Sequence, residues 1–263
     1  IYKRGLMVPY IAAGDNLNMP FVGQLLRGGG AFFIRRSFRG NALYTSVFKE
    51  YLFSILSRNT PLEYFIEGGR SRTGRLLPPK TGMLAMTVHG HLRGRAKPIV
   101  FIPTYVGYER LMEGATYVGE MNGKPKEAES IWGILQTLKK IERIFGKVHV
   151  NFGEPVFLDD LLKAHGADQI TIEHNDDPIP QEVSDAVTSS ANAILENINR
   201  AVVINPVSLL SLILLATPKH TLDEEICIKQ LDTYRKLLTA NPYDSRTQVT
   251  PLSGKEIIAY GMK

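Results

Sequence analysis

Leu62-Glu-Tyr-Phe-Ile-Glu-Gly-Gly-Arg-Ser-Arg-Thr-Gly-Arg75 decides how this chain is read. The apolar run Leu62 to Ile66 stops at Glu67-Gly68-Gly69-Arg70-Ser71-Arg72. That pattern predicts a buried strand delivering a carboxylate, two guanidiniums and a hydroxyl to its exit loop. Paired glycines let the backbone approach a ligand or take positive φ, and each arginine carries a planar fork that matches a phosphate or carboxylate. Glu67 is expected to hold one of those forks. A surface turn with a solvated charge cluster fits the same residues, and the stretch by itself leaves both readings open.

Upstream, Val8 to Ala13 reads as a strand, Asn18 to Arg27 as a short helix stopped by Gly28-Gly29-Gly30, and Ala31 to Ile34 as a second buried strand ending in Arg35-Arg36. Leu43, Val47, Tyr51 and Ile55, beside Tyr44, Phe48, Leu52 and Leu56, form one helical apolar stripe. Downstream, Lys80 to Leu92 reads as helix and Pro98 to Pro103 as a fourth strand. Strands alternating with helices predict an α/β domain with a mostly parallel sheet flanked by helices. In such sheets ligands gather at the carboxyl ends of the strands, where Arg35-Arg36, Glu67 to Arg72 and Pro103 to Glu109 all fall. That coincidence favours a binding site.

Ile131 to Phe145 reads as helix, Val148 to Phe152 as a strand, and His165 to Pro180 as a polar loop. Helices are expected at Glu182 to Arg200, Val207 to Ala216 and Leu222 to Ala240. The expected organisation is an α/β domain over residues 1–160 and a mainly helical region over 161–263. Ala201 to Thr217 is the most hydrophobic run, but Asn205 and Pro206 interrupt it, and it is shorter than the roughly 20 residues of a membrane span. A buried or interfacial helix is the expectation there.

Net charge is +5 over 263 residues, unevenly spread. Residues 1–110 hold 16 Lys and Arg against 5 Asp and Glu, and the remainder holds 15 against 21. The basic half favours anionic partners: nucleic acid, an anionic membrane or phosphorylated metabolites. Nucleic-acid binding is disfavoured because Phe32, Phe33, Tyr64 and Phe65 sit inside strand runs and read as buried. The single cysteine, Cys227, excludes an internal disulfide and suits a reducing setting.

Several motifs fail. Gly23 to Gly28 has P-loop glycine spacing, but Gly29-Gly30 stand where Lys and Ser or Thr belong. Gly28-Gly29-Gly30 leads into a strand rather than a helix, unlike a dinucleotide fingerprint. His89-Gly-His91 lacks a nearby third ligand, so a satisfied histidine pair outweighs a metal site. A Gly-x-Ser-x-Gly elbow is absent.

Gly30-Ala-Phe-Phe-Ile-Arg-Arg36, Phe65-Ile-Glu-Gly-Gly-Arg-Ser-Arg-Thr-Gly-Arg75 and Ile102-Pro103 with Tyr108-Glu109 resemble the second, third and fourth sequence blocks of the glycerol-3-phosphate acyltransferases, the large bacterial membrane-associated members above all. The similarity extends through Ile11 to Gly14, Asn16 to Asn18, Lys80 to Gly82 and Asn151 to Pro155, and fades after about Asp160. The resemblance implies acyl transfer from acyl-CoA or acyl-carrier protein to the 1-hydroxyl of glycerol 3-phosphate, giving lysophosphatidic acid. By motif position, Arg36, Arg70 and Arg72 bind the phosphate, Glu67, Gly68 and Ser71 shape the acceptor pocket, and Pro103 lines the acyl-donor side. Neither cofactor, metal nor covalent acyl-enzyme is implied. The implied location is the cytoplasmic face of the inner membrane, bound peripherally or monotopically. Nucleic acid is not an expected partner.

One departure is large. The family's first block, His-x-x-x-x-Asp, supplies a general base and its orienting carboxylate, yet none of the six histidines here has Asp five positions later. His149 and His220 have Glu154 and Glu225 at that offset, but both follow the other blocks. With an opening at Ile1 that lacks an initiator Met, the expectation is a fragment whose dyad is encoded upstream of Ile1, with no catalytic residue of its own and negligible activity alone. Related acceptors, dihydroxyacetone phosphate or lysophosphatidate, and a non-catalytic phosphate-ligand or nucleic-acid-binding role are the alternatives.

Overall fold

The computed structural model describes residues 5, 7–35, 37, 38, 40–69, 71, 74–94, 97–109 and 146–262. β1 (Tyr10–Gly14) lies between β2 (Ala31–Ile34) and β3 (Leu62–Glu63), with both pairings parallel. Ile11 stands opposite Ala31 on one side and Glu63 on the other. The carboxyl ends of all three strands therefore share one edge of the sheet, and the loops after Gly14, Ile34 and Glu63 leave from it. This is the parallel α/β core expected from the sequence.

α1 (Val22–Gly28) joins β1 to β2, and α2 (Ala42–Ser57) joins β2 to β3. α2 starts where the Asn41 side chain accepts the Tyr44 amide, a side-chain N-cap that replaces one missing intrahelical partner. Its apolar residues are too many for one buried face. Phe48, Leu52 and Ile55 enter the core, whereas Leu43 is 78% and Val47 59% exposed. The single stripe expected from the sequence is therefore split.

α3 (Gly82–Gly94) packs on α2 and buries Leu84, Val88 and Leu92. β4 (Val100–Phe101) departs from expectation, because it pairs antiparallel with β7 (Val156–Phe157) and does not join the parallel sheet. α4 (Leu158–Ala164), absent from the sequence reading, follows at once. The polar loop at 165–180 has no helix or strand, as expected, and leads to α5 (Gln181–Arg200).

The chain divides into two compact units, but not at residue 160. One holds residues 1–101 and 155–195, the other 102–154 and 196–263. The chain leaves the first unit after β4 and re-enters it before β7, because those two strands are hydrogen-bonded partners.

The second unit contains an antiparallel pair, β5 (Thr104–Tyr108) with β6 (Val148–Phe152), and a short parallel pair, β8 (Val203–Ile204) with β9 (Gln248–Val249). Three helices close its core: α6 (Pro206–Ala216), α7 (Glu224–Ala240) and α8 (Gly254–Gly261). Each begins at a side-chain cap, supplied in turn by Asn205, Asp223 and Ser253, the last in a capping box with Glu256. Leu209, Ile213, Cys227, Leu231 and Ile257 fill the space between them. The helix expected at Ile131 to Phe145 lies outside the described residues.

Candidate functional site

β3 ends after Glu63, three residues earlier than its apolar run suggests. Tyr64 to Ile66 already belong to the loop, so Phe65 is 66% exposed although the sequence places it in a buried strand, while Ile66 anchors the loop in the core at 6%. The glycine-rich stretch is then closed by two hydrogen bonds. Glu67 Oε2 accepts the Leu77 amide at 2.7 Å, and the Ile66 carbonyl accepts the Lys80 amide at 2.7 Å. Ile66-Glu67 and Leu77 to Lys80 are thus tied to each other at the carboxyl edge of the sheet.

Gly68 sits at φ +58 with its amide donating to the Phe65 carbonyl, and a Cβ there would meet the Lys80 side chain at 2.8 Å. Glycine is required on both counts, backbone hand and space. Ser71 is half-buried in this loop. Among the described residues, the partner found for Glu67 is a backbone amide, so its carboxylate holds the loop shut. Arg36, Arg70 and Arg72, the expected phosphate ligands, lie outside the described residues.

The loop after β2 is seated by aromatic contacts. Phe38 packs edge-on against Phe48 at 5.2 Å and tilted against Tyr44 at 5.3 Å. Arg35 lays its guanidinium over the Tyr44 ring at 4.6 Å, and its amide donates to the Tyr44 hydroxyl at 3.2 Å. Arg35, adjacent to Arg36, is thereby committed to the wall of α2. A cleft of about 480 Å³ opens beside this loop, lined by Phe38, Gly40, Asn41, Ala42, Thr45, Ser46 and, from a distant part of the sequence, Asp176.

Pro103 is in the second unit and is fully buried. Its carbonyl accepts the Gly153 amide at 2.8 Å, and a Cβ on Gly153 would meet Pro103 Cβ at 3.1 Å and the Asn197 carbonyl oxygen at 2.5 Å. The structure gives Pro103 a packing role; it presents no free surface of its own to an acyl donor. Nor do residues 103–109 lie at the end of a parallel strand, since β4, the strand before them, pairs antiparallel with β7.

Glu109 follows β5 as a buried acid. It accepts from the Tyr260 hydroxyl at 2.6 Å and the Lys147 amide at 2.9 Å, and its Oε1 lies 3.2 Å from His149 Nε2. Burial pushes its carboxyl up, but these partners outweigh that and hold it below its usual value of 4.5. His149 therefore belongs with Glu109, while Glu154, five positions after it in sequence, pairs with Arg246.

The two histidines of α3 take separate tasks. His91 Nε2 lies 3.0 Å from Asp159 Oδ1 at the start of α4. His89 is 2% exposed and bonds the Asp177 backbone, while its Nε2 has no hydrogen-bond partner among the described residues. Burial, then the neighbouring Lys49 and Arg93, push its pKa down. Neither Asp159 nor Asp176 is marked in the sequence by a motif, which is why sequence reading passes over both.

A parallel α/β unit whose strand-edge loops carry Gly-Gly-Arg-Ser-Arg and Arg-Arg in sequence is an architecture that suits an anionic ligand at the carboxyl edge of its sheet. The family model described as acyltransferase matches residues 1–107, and that described as glycerol-3-phosphate acyltransferase C-terminal region matches residues 117–263. Proteins named glycerol-3-phosphate acyltransferase from Xanthomonas campestris pv. campestris and Xanthomonas axonopodis pv. citri are each 49% identical over 99% of this chain. One of the same name from Pseudomonas fluorescens is 46% identical over 99%. The chain belongs to the glycerol-3-phosphate acyltransferase family. It spans about 30% of the length of the curated relatives it matches.

Proposed function

We propose that the protein containing this chain transfers a fatty acyl group from acyl-CoA or acyl-carrier protein to the 1-hydroxyl of sn-glycerol 3-phosphate, giving lysophosphatidic acid in the first step of phospholipid synthesis. The observation that carries this reading is the 46–49% identity to relatives of that name across nearly all of residues 1–263. In this reading Arg36, Arg70 and Arg72 bind the acceptor phosphate, and Glu67, Gly68 and Ser71 hold the loop that aims its hydroxyl. Attack on a thioester carbonyl requires the alcohol proton to be removed as the new C–O bond forms. The family's base for that step is a His-x-x-x-x-Asp histidine, a motif these residues do not contain. Residues 1–263 alone are therefore proposed to have negligible turnover.

The work site is proposed to be the cytoplasmic face of the inner membrane, since the product and the acyl donor partition to lipid. Among the described residues no helix is long and apolar enough to cross a membrane. Attachment through basic surface and exposed apolar side chains such as Leu212 and Leu215 of α6 fits a peripheral or monotopic mode, with no role for nucleic acid.

The test is an acyltransferase assay with labelled glycerol 3-phosphate and palmitoyl-CoA, run on the full-length protein and on residues 1–263. Incorporation by the full-length protein and background by the shorter chain is the expected result. Robust turnover by residues 1–263 alone would overturn the assignment of the base.

A further inference from the structure

Each strand of the parallel sheet hands its connection one large apolar side chain that stays in solvent. Phe21 follows β1, Leu43 opens α2 after β2, and Phe65 follows β3, and they are 80%, 78% and 66% exposed. All three stand on the carboxyl side of the sheet. α1 and α2 each return the chain to the amino end of the next strand, so their first residues lie at the carboxyl edge, and Phe65 is two positions past the end of β3. One side of this unit therefore gathers all three.

Phe21 is held there against its backbone preference. It takes φ 64 and ψ −52, a γ-turn closed by the Val22 amide donating to the Pro20 carbonyl at 2.8 Å. That hand of backbone is rare and strained for a bulky side chain. Its surroundings impose it: the Gly23 amide donates to the Met19 carbonyl at 2.7 Å, and a Cβ on Gly23 would meet Asn18 Oδ1 at 2.8 Å. The Leu25 amide donates to the Phe21 carbonyl at 3.0 Å, and Leu25, one turn along the same face of α1, is exposed as well. A strained turn that holds an aromatic ring in water marks a ring with a use outside the core.

The charge of the same loops narrows the partner. By sequence, residues 15–21, 35–41 and 64–80 hold seven Lys and Arg against two acids, Asp15 and Glu67. Glu67 is engaged by the Leu77 amide. Large apolar side chains set among cations suit a partner that is anionic on its surface and apolar beneath it, which describes a bilayer containing acidic lipids. The loops leave neighbouring strands of one sheet, so a broad surface meets them together.

We infer that the carboxyl edge of the β2-β1-β3 sheet is the surface by which this unit docks on an anionic bilayer, with Phe21, Leu43 and Phe65 entering the headgroup layer and the basic loops meeting acidic headgroups. This rests on the reading of a membrane-bound enzyme and adds to it the face that meets lipid. The edge at which a parallel α/β sheet gathers its ligands then faces the layer into which the acyl donor and the product partition.

The test measures partition of the full-length wild type, and of a full-length variant combining Phe21→Gly, Leu43→Ser and Phe65→Ser, onto vesicles of phosphatidylcholine and phosphatidylglycerol by sedimentation. Tm is recorded without lipid. Glycine accepts the backbone hand at position 21 and the other two side chains are exposed, so Tm rises or stays within about 4 °C of the wild type. Partition falls about tenfold or more, the scale of withdrawing one large apolar side chain from lipid. A smaller fall overturns the proposal. A Tm lowered by more than about 4 °C overturns lipid as the occupant, because it shows the three side chains covered by polypeptide, either beyond residues 1–263 or in a second copy. Where the combined variant yields no folded protein, Phe21→Gly alone is read by the same two criteria, with a fall of about threefold or more required. A wild type that does not sediment with these vesicles overturns the membrane reading itself, an outcome distinct from unchanged partition in the variant.

Discussion

Tyr260, in the last helix, places its hydroxyl 2.6 Å from Glu109 Oε2, at the end of a strand 151 positions earlier. The Glu109 side chain is 2% exposed, and Lys147 stacks its ammonium 5.2 Å from the centre of the Tyr260 ring. A buried carboxylate is tolerated when donors surround it, and here Tyr260 supplies the only side-chain hydroxyl among its described donors.

Tyr260→Phe should therefore destabilise the protein by about 1.5–3 kcal/mol, the loss of one hydrogen bond to a buried charge. Because Glu109 is held below 4.5, its stabilising contribution is full above that pH and is lost as pH falls through the lowered value. Thermal melts between pH 7 and pH 3 should show a lower Tm for the variant and a shallower acid decline. Equal melts at pH 7 would exclude an energetic role for the contact.

Gly68→Ala meets two obstacles, a φ of +58 and the Lys80 side chain 2.8 Å from the new methyl. The left-handed backbone alone costs about 1–2 kcal/mol. The loop closed by Glu67 and Leu77 should loosen, raising KM for glycerol 3-phosphate more than KM for acyl-CoA in steady-state kinetics of the full-length protein. A variant with wild-type constants would show that the loop tolerates the methyl group.

Arg36→Ala and Arg70→Ala test the phosphate anchors proposed from the family blocks. Each should raise the acceptor KM by about tenfold or more, with the donor KM little changed, as expected when a charge-assisted contact to one substrate is removed. Parallel rises in both constants argue against anchoring.

His89 sets a separate acid sensitivity. Its pKa is pushed below 6.5, chiefly by burial, so the folded protein is favoured with the ring neutral. That contribution is complete above pH 6.5 and is lost as pH falls below it toward the lowered value. Melting temperature should decline from pH 7 to pH 5, and His89→Gln should flatten the decline across that window while leaving the Glu109 decline below pH 4.5. An identical profile in the variant would assign the sensitivity elsewhere.

Much of this was legible in the sequence because it is local. Ala31 to Ile34 and Val148 to Phe152 are strands with the expected bounds, and α5, α6 and α7 start within two residues of their expected positions. Apolar periodicity and capping residues lie within a few positions of the elements they define. The Gly-Gly-Arg-Ser-Arg loop and the family blocks are contiguous, so they too can be read without a structure.

The tertiary structure decided what depends on residues far apart in sequence. β3 stops at Glu63 where its pairing with β1 ends, which puts Phe65 in the open in spite of its apolar neighbours. β4 pairs with β7 and β5 with β6, because strand periodicity marks a strand without naming its partner. Leu43 and Val47 carry the same helical spacing as the residues the core takes in, and the positions of α3 and of Phe32 in β2 select which face of α2 is buried. Asp176 reaches Ser46 across 130 positions through a turn folded on Asp177, and a contact between such distant polar residues leaves no periodic trace in the sequence that encodes it.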